Sequence, residues 1–176
     1  ARGQRKPMIG YILRSGGSRE QKHLLLTLRS LFANLQLITL SPADDEEAHK
    51  LVDELALGSP WCIRDPEEFC LLAPELTLVL SERLHGLLLA ARCRIPGIGL
   101  GQDPKLHAFC RQMDWTCWGW RDPSLLMGVC TLIKKMIADP VSAYQKVQQQ
   151  AKIMEQKGEE DRRWFINQVQ TVLSGR

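Results

Sequence analysis

The amino-acid sequence predicts a doubly wound α/β domain. Short apolar runs alternate with segments whose apolar residues recur at helical spacing, and Gly, Ser and Pro punctuate the boundaries. Strands alternating with helices imply parallel pairing through right-handed crossovers. The chain has 176 residues and 44% hydrophobic content, enough for one sizeable core.

The elements follow in order. Met8-Ile9-Gly10-Tyr11-Ile12-Leu13 is an apolar run that ends at Arg14, and Ser15-Gly16-Gly17-Ser18 is a turn. Ser18 with Gln21 resembles a capping box, and Leu24, Leu25, Leu28, Leu31 and Phe32 mark one helical face. Residues 35–40 form a second strand, and Pro42 opens a helix over 43–57 with acidic residues in its first turn. A short strand at 61–63, a helix at 65–72 and a strand at 77–80 continue the pattern. A helix at 87–93, a strand at 96–100, a helix at 105–113, a strand at 115–118 and a helix at 123–138 complete it. Pro140 then closes the sheet domain, assigned to residues 1–140.

Residues 141–176 are polar and rich in Gln and Lys, with a break expected near Gly158. They suit one or two amphipathic helices whose apolar positions include Tyr144, Val147, Ile153, Met154, Trp164, Phe165, Val169 and Leu173. Such an extension either covers this domain or reaches back to another one.

Composition excludes several classes. The net charge is +3, and no Lys/Arg block is interleaved with aromatics, which argues against nucleic acid. No apolar run reaches the length of a bilayer span. The basic start Ala1-Arg2-Gly3-Gln4-Arg5-Lys6-Pro7 precedes an apolar run too short for a signal peptide. A cytoplasmic location is expected, the inner face of the membrane included. A basic tail without initiator Met that moves straight into a strand suggests a portion of a longer protein. The six cysteines show no CxxC pair, so neither a metal site nor a disulfide framework is expected, and buried free thiols are.

Four cationic or imidazole side chains fall at strand ends: Arg14 after the first, Arg83 and His85 after the fourth, and Lys105, beside Asp103, after the fifth. In a parallel sheet these ends share one edge, where ligands of open sheets bind. A small, multiply charged anion suits such a crevice, and the Ser15-Gly16-Gly17 turn adds backbone N–H groups at a helix start. Positions two apart face the same way in extended backbone and diverge in a helix. Arg83 and His85 therefore serve one ligand most easily if the helix begins after His85, with Leu84 pointing into the core. Plainer readings stand beside these. A strand-end Arg is commonly solvated or ion-paired. Asp103-Pro104 is also a helix start, with Asp as N-cap and Pro at the first helical position. His23, His49 and His107 read as surface residues, and Trp115, Trp118 and Trp120 as packing.

The run Ser81-Glu82-Arg83-Leu84-His85-Gly86-Leu87-Leu88-Leu89-Ala90-Ala91, then Ile95-Pro96-Gly97-Ile98-Gly99-Leu100, then Asp103-Pro104-Lys105 and Phe109, resembles the C-terminal half of the polysaccharide pyruvyl transferase family. Members carry an Arg-Leu-His turn entering an apolar helix, a short strand after a proline and a Tyr-Asp-Pro-Lys-like loop. The resemblance implies two Rossmann-like halves facing across a cleft, as in GT-B glycosyltransferases, with this chain as the second half. It also implies transfer of a pyruvyl group from phosphoenolpyruvate to a sugar of a cell-wall or surface polysaccharide precursor, forming a ketal.

On this reading Arg83 and His85 lie in the donor-binding turn, with His85 as general acid or phosphate contact. Arg14 is a further donor-binding arginine, and Ser81, Asp103 and Lys105 are further substrate contacts. Phosphoenolpyruvate is the donor substrate, with no cofactor and no metal. The partners are a saccharide acceptor, lipid-linked forms included, and an N-terminal domain of the same protein. Gln102 departs from the pattern, standing where the family often has Tyr. Two rival readings are a GT-B glycosyltransferase half that binds a nucleotide-sugar and a non-catalytic binding domain of the same fold.

Overall fold

The computed structural model describes residues 6–173, with side chains described except at 161, 162 and 164–173. Trp164, Phe165, Val169 and Leu173, expected on the apolar face of the last helix, lie outside the described side chains. Six strands form the sheet: β1 Met8–Ile12, β2 Asn34–Thr39, β3 Trp61–Cys62, β4 Leu78–Ser81, β5 Gly97–Leu100 and β6 Cys117–Trp118. Between and after them run α1 Arg19–Leu31, α2 Asp45–Leu55, α3 Pro66–Leu72, α4 Leu84–Arg92, α5 Pro104–Gln112, α6 Leu125–Ala138 and α7 Pro140–Leu173.

All strand pairs are parallel, in the order β3-β2-β1-β4-β5-β6. This is the doubly wound Rossmann order, and its direction of winding reverses between β1 and β4. The register there sets Ile12 against Ser81, so the chain leaves β1 and β4 side by side. Alternation along the strands divides the core. Ile9, Tyr11, Leu37, Leu80 and Ile98 pack with α1, α2 and α6 on one face. Ile12, Ile38 and Val79 pack with Phe69 of α3 and Ala90 of α4 on the other.

Several boundaries differ from expectation for local reasons. A short 3-10 turn, Pro42–Asp44, precedes α2, because Ser41 caps Ala43 before the α-helical ladder starts. Helix α4 begins at Leu84 rather than after His85, with Arg83 extended at the N-cap (φ −118°, ψ 132°). Helix α7 runs unbroken through Gly158. One interior Gly costs only about 1 kcal/mol, which a long helix absorbs. Val147 and Ala151 of α7 are buried with Leu87, Ala91, Leu106 and Phe109, so its first half covers this domain. The six cysteines are free; Cys110 and Cys130 are buried, whereas Cys62, Cys70, Cys93 and Cys117 are only half-buried. Among the described residues, no helix is long and apolar enough to cross a membrane.

Candidate functional site: the crevice between the first and fourth strands

Two helices begin at the switch point. The loop from β1 to α1 holds Arg14, Ser15, Gly16, Gly17 and Ser18, and Gly16 takes a positive φ of 80°, a conformation glycine adopts without penalty. Ser18 caps α1, its side chain accepting from the Gln21 N–H. The predicted capping box does not close, however, because the Gln21 amide turns away to the Arg14 carbonyl at 3.2 Å and to Glu82 Oε1 at 2.5 Å. Arg14 itself is exposed at the crevice rim.

Arg83 meets a carboxylate that sequence reasoning did not find. Its Nε donates to Asp44 Oδ2 and its Nη2 to Asp44 Oδ1, both at 2.8 Å. Asp44 is fully buried and also accepts from the Ser15 N–H at 2.9 Å. One carboxylate thus ties the first loop to the arginine of the fourth strand. Burial works to raise the Asp44 pKa, yet hydrogen bonds from Arg83 and Ser15 outweigh it and hold the carboxyl below its ordinary range. Two of the three guanidinium nitrogens are engaged in this way, and Nη1 has no partner among the described residues. Asp44 takes the bidentate edge of the guanidinium and fixes its plane, which leaves Nη1 as the donor for a further acceptor.

Behind this pair lies a second polar group that was not anticipated. Glu82 is 8% exposed; its Oε1 accepts from the Tyr11 hydroxyl at 2.8 Å as well as from Gln21. Burial raises its pKa to about 7, against hydrogen bonds from Gln21, Tyr11 and the Arg14 backbone. The Ser81 hydroxyl does not point outward as a ligand contact. It is buried, donates to the Arg83 carbonyl at 2.7 Å and accepts from the Arg83 N–H at 3.1 Å, so it shapes the turn. Gly86 makes that turn possible, since a Cβ there would stand 2.3 Å from Ser81 Oγ and 2.7 Å from Ile12 Cδ1.

The helical start at Leu84 separates the remaining expected residues. His85, in the first turn of α4, is exposed and lines a neighbouring cleft with Leu40, Ile63, Arg64, Leu88 and Arg92. Arg83 and His85 consequently flank the α4 N-terminus instead of facing one way. Leu84 is half-buried against the α4–α5–α7 cluster. Asp103 caps α5, accepting from the Lys105 N–H at 2.8 Å, and Lys105 is exposed. His107, expected on the surface, is half-buried with Nε2 2.8 Å from the Gly101 carbonyl. Its i−6 relation across a loop gave no periodic signal. Asp44 and Glu82 were missed because each looks like an ordinary polar neighbour in sequence. A carboxylate between the apolar run ending at Leu80 and the apolar start of α4 is the signal that could have marked Glu82.

No group of His, Cys, Asp and Glu among the described residues has the arrangement of a metal site.

No protein-family model matches the chain, and no curated protein sequence matches it. Solved structures do share its fold. The S. aureus MnaA–UDP co-structure is similar over 81% of this chain and 40% of that one, with 15% identity and a TM-score of 0.58. UDP-GlcNAc 2-epimerase from Neisseria meningitidis, bound to UDP-GlcNAc, is similar over 89% of this chain and 45% of that one, with 12% identity and a TM-score of 0.58. The fold is therefore the Rossmann-like α/β fold of GT-B-like enzymes, and the chain spans less than half the length of these matches.

Proposed function

We propose that this chain is the donor-binding half of a GT-B-like enzyme that modifies sugars, its donor a multiply charged anion seated at the crevice between β1 and β4. The observation that carries this reading is the Asp44 bridge, which holds Arg83 and the Ser15 loop together where two helix N-termini meet. A helix start leaves N–H groups unpaired and carries a partial positive charge. The start of α4 has neither acid nor side-chain cap, and Arg14 adds an exposed cation at the rim, while the charge of Arg83 is balanced by Asp44. An anion offsets that excess of positive potential.

Within this reading the residues favour phosphoenolpyruvate and pyruvyl transfer. The Arg83-Leu84-His85 turn, the strand after Pro96 and the Asp103-Pro104-Lys105 loop resemble the polysaccharide pyruvyl transferases, and the turn and the loop follow the ends of the neighbouring strands β4 and β5. The donor carries a carboxylate and a phosphate, which guanidinium groups of Arg83 and Arg14 and the α4 N–H groups can share. Ketal formation protonates the methylene carbon, one sugar hydroxyl adds to the adjacent carbon, and a second displaces phosphate. Both hydroxyl protons leave with the departing phosphate or a base. To be the proton donor in this scheme, His85 has to turn from the neighbouring cleft that it lines toward the α4 start, and the base belongs to the rest of the enzyme.

The solved neighbours favour a second donor. Both carry uridine nucleotides by their descriptions, and a UDP-sugar would place its diphosphate on the same two helix starts. Nothing in those likenesses speaks for pyruvyl transfer. Ligand-observed NMR of phosphoenolpyruvate against UDP decides between them, with Arg14→Ala, Arg83→Lys and His85→Ala as controls. Selective phosphoenolpyruvate binding that all three weaken supports pyruvyl transfer. Selective UDP binding assigns the half to a nucleotide-sugar enzyme, and binding of neither to the folded chain leaves a non-catalytic domain of this fold.

A further inference from the structure

We propose that Glu82 and Gln21 form a buried clamp that positions the first loop of the crevice, and with it Arg14 and the loop N–H groups, for the anion. The inference rests on the reading of the crevice as an anion site. Its basis is a cluster of contacts that the core alone does not need. Gln21 is 1% exposed, and its Nε2 bonds both the Arg14 carbonyl and Glu82 Oε1. Glu82 in turn receives the Tyr11 hydroxyl from the floor of β1 at 2.8 Å. The Arg14 carbonyl is thus held by a side chain of α1 that is itself anchored on Glu82, the residue after β4. Gln21 Oε1 is buried without a partner and occupies the space a Cβ on Gly17 would fill, 1.3 Å from that point. An unpaired buried acceptor costs about 1–3 kcal/mol. It is tolerated here while the amide nitrogen of the same side chain grips the loop.

The geometry separates positioning from charge. In its ionised form Glu82 repels an anion, so above neutral pH any neutral substitute strengthens binding if charge alone matters. Positioning requires an acceptor for Tyr11 and Gln21 at residue 82, which Gln supplies and Leu does not. Glu82→Leu and, as a gentler break, Gln21→Ala each release the loop.

The test titrates sulfate and phosphoenolpyruvate into the 176-residue chain and into the three variants, while amide NMR follows Gly16 and Gly17. Glu82→Gln is expected to bind within about threefold of the unaltered chain, whereas Glu82→Leu and Gln21→Ala lose roughly tenfold or more. In the latter two the Gly16 and Gly17 signals shift or broaden. Equal binding in Glu82→Leu, or glycine signals that stay put in both released variants, overturns the clamp. If no form binds either anion, the crevice reading falls by itself, and the glycine signals still decide whether Glu82 and Gln21 hold the loop.

Discussion

Arg83 was readable as a site residue, but its partner was not, and the pair changes what a substitution there does. The sequence places Asp44 in an acidic helix start, Asp44-Asp45-Glu46-Glu47, where a surface role is the natural reading. Only the 3-10 turn, which carries Asp44 inward ahead of α2, gives it a buried position. Breaking a buried pair by removing one member costs about 3–5 kcal/mol. Removing Arg83 leaves the fully buried Asp44 uncompensated, whereas removing Asp44 leaves an Arg83 that is partly exposed, so we expect Arg83→Ala to cost about 3 kcal/mol in urea unfolding and Asp44→Ala less. The double variant should fall short of the sum by about 1–3 kcal/mol; strict additivity would mean the bridge is not made in solution.

The two buried carboxyls also pull stability in opposite directions with pH. Asp44 is depressed, so its contribution is present at neutral pH and is lost as pH falls through its folded pKa, below the ordinary aspartate range. Glu82 is raised from 4.5 to about 7, so the folded state holds a proton the unfolded chain has already released. Stability from this group is full below pH 4.5 and declines by up to about 3 kcal/mol as pH rises to 7. Urea midpoints of Glu82→Gln, measured from pH 5 to 8 against the unaltered chain, should lack that decline. Parallel pH profiles for the two proteins would contradict it.

At the scale of elements, the strands and α-helices were legible but the 3-10 turn before α2 was not, and the errors fell where side-chain contacts override periodicity. Six strands and the helices between them followed from apolar runs and Gly/Pro punctuation. The start of α4 did not, because the extended reading through His85 weighed ligand geometry above the local preference of Leu-His-Gly-Leu-Leu to turn. The Ser81 hydroxyl fixes that start by bonding both the N–H and the carbonyl of Arg83, and Gly86 leaves the room for it. Gly86→Ala improves helix propensity by about 1 kcal/mol. The clash of its Cβ with Ser81 Oγ and Ile12 should more than cancel the gain, giving a net loss of about 1–3 kcal/mol by overpacking and a lower melting temperature. A neutral or stabilising result would show that the turn relaxes easily, and anion affinity measured on the same variant would then stay unchanged.

At the scale of the whole molecule, the last helix divides into a part the core requires and a part it does not. Sequence alone left open whether residues 141–176 cover this domain, because their apolar positions are sparse and broken by Gln and Lys. Packing answers it for the first half. Val147 and Ala151 are buried against α4 and α5, and Arg94 pairs with Glu155 at 2.7 Å, whereas Ile153 on another face of α7 is 49% exposed. A surface ion pair contributes at most about 1 kcal/mol, so apolar burial decides where the helix can be cut. Truncation after Lys157 should therefore leave the melting temperature within a few degrees, since about 1 kcal/mol shifts it by 2–4 °C in a domain of this size. Truncation after Asp139 uncovers Leu87, Ala91, Leu106 and Phe109 and should lower it by 10 °C or more, from burial worth several times about 1.5 kcal/mol. The same two proteins locate the helix relative to the crevice, which lies at the opposite ends of α4 from Arg94. Phosphoenolpyruvate or UDP affinity that survives the shorter cut, and falls with rising salt as charge pairing requires, places the anion site wholly on the sheet edge. Loss of affinity with the fold intact would mean that the outer half of α7 contributes to the donor site.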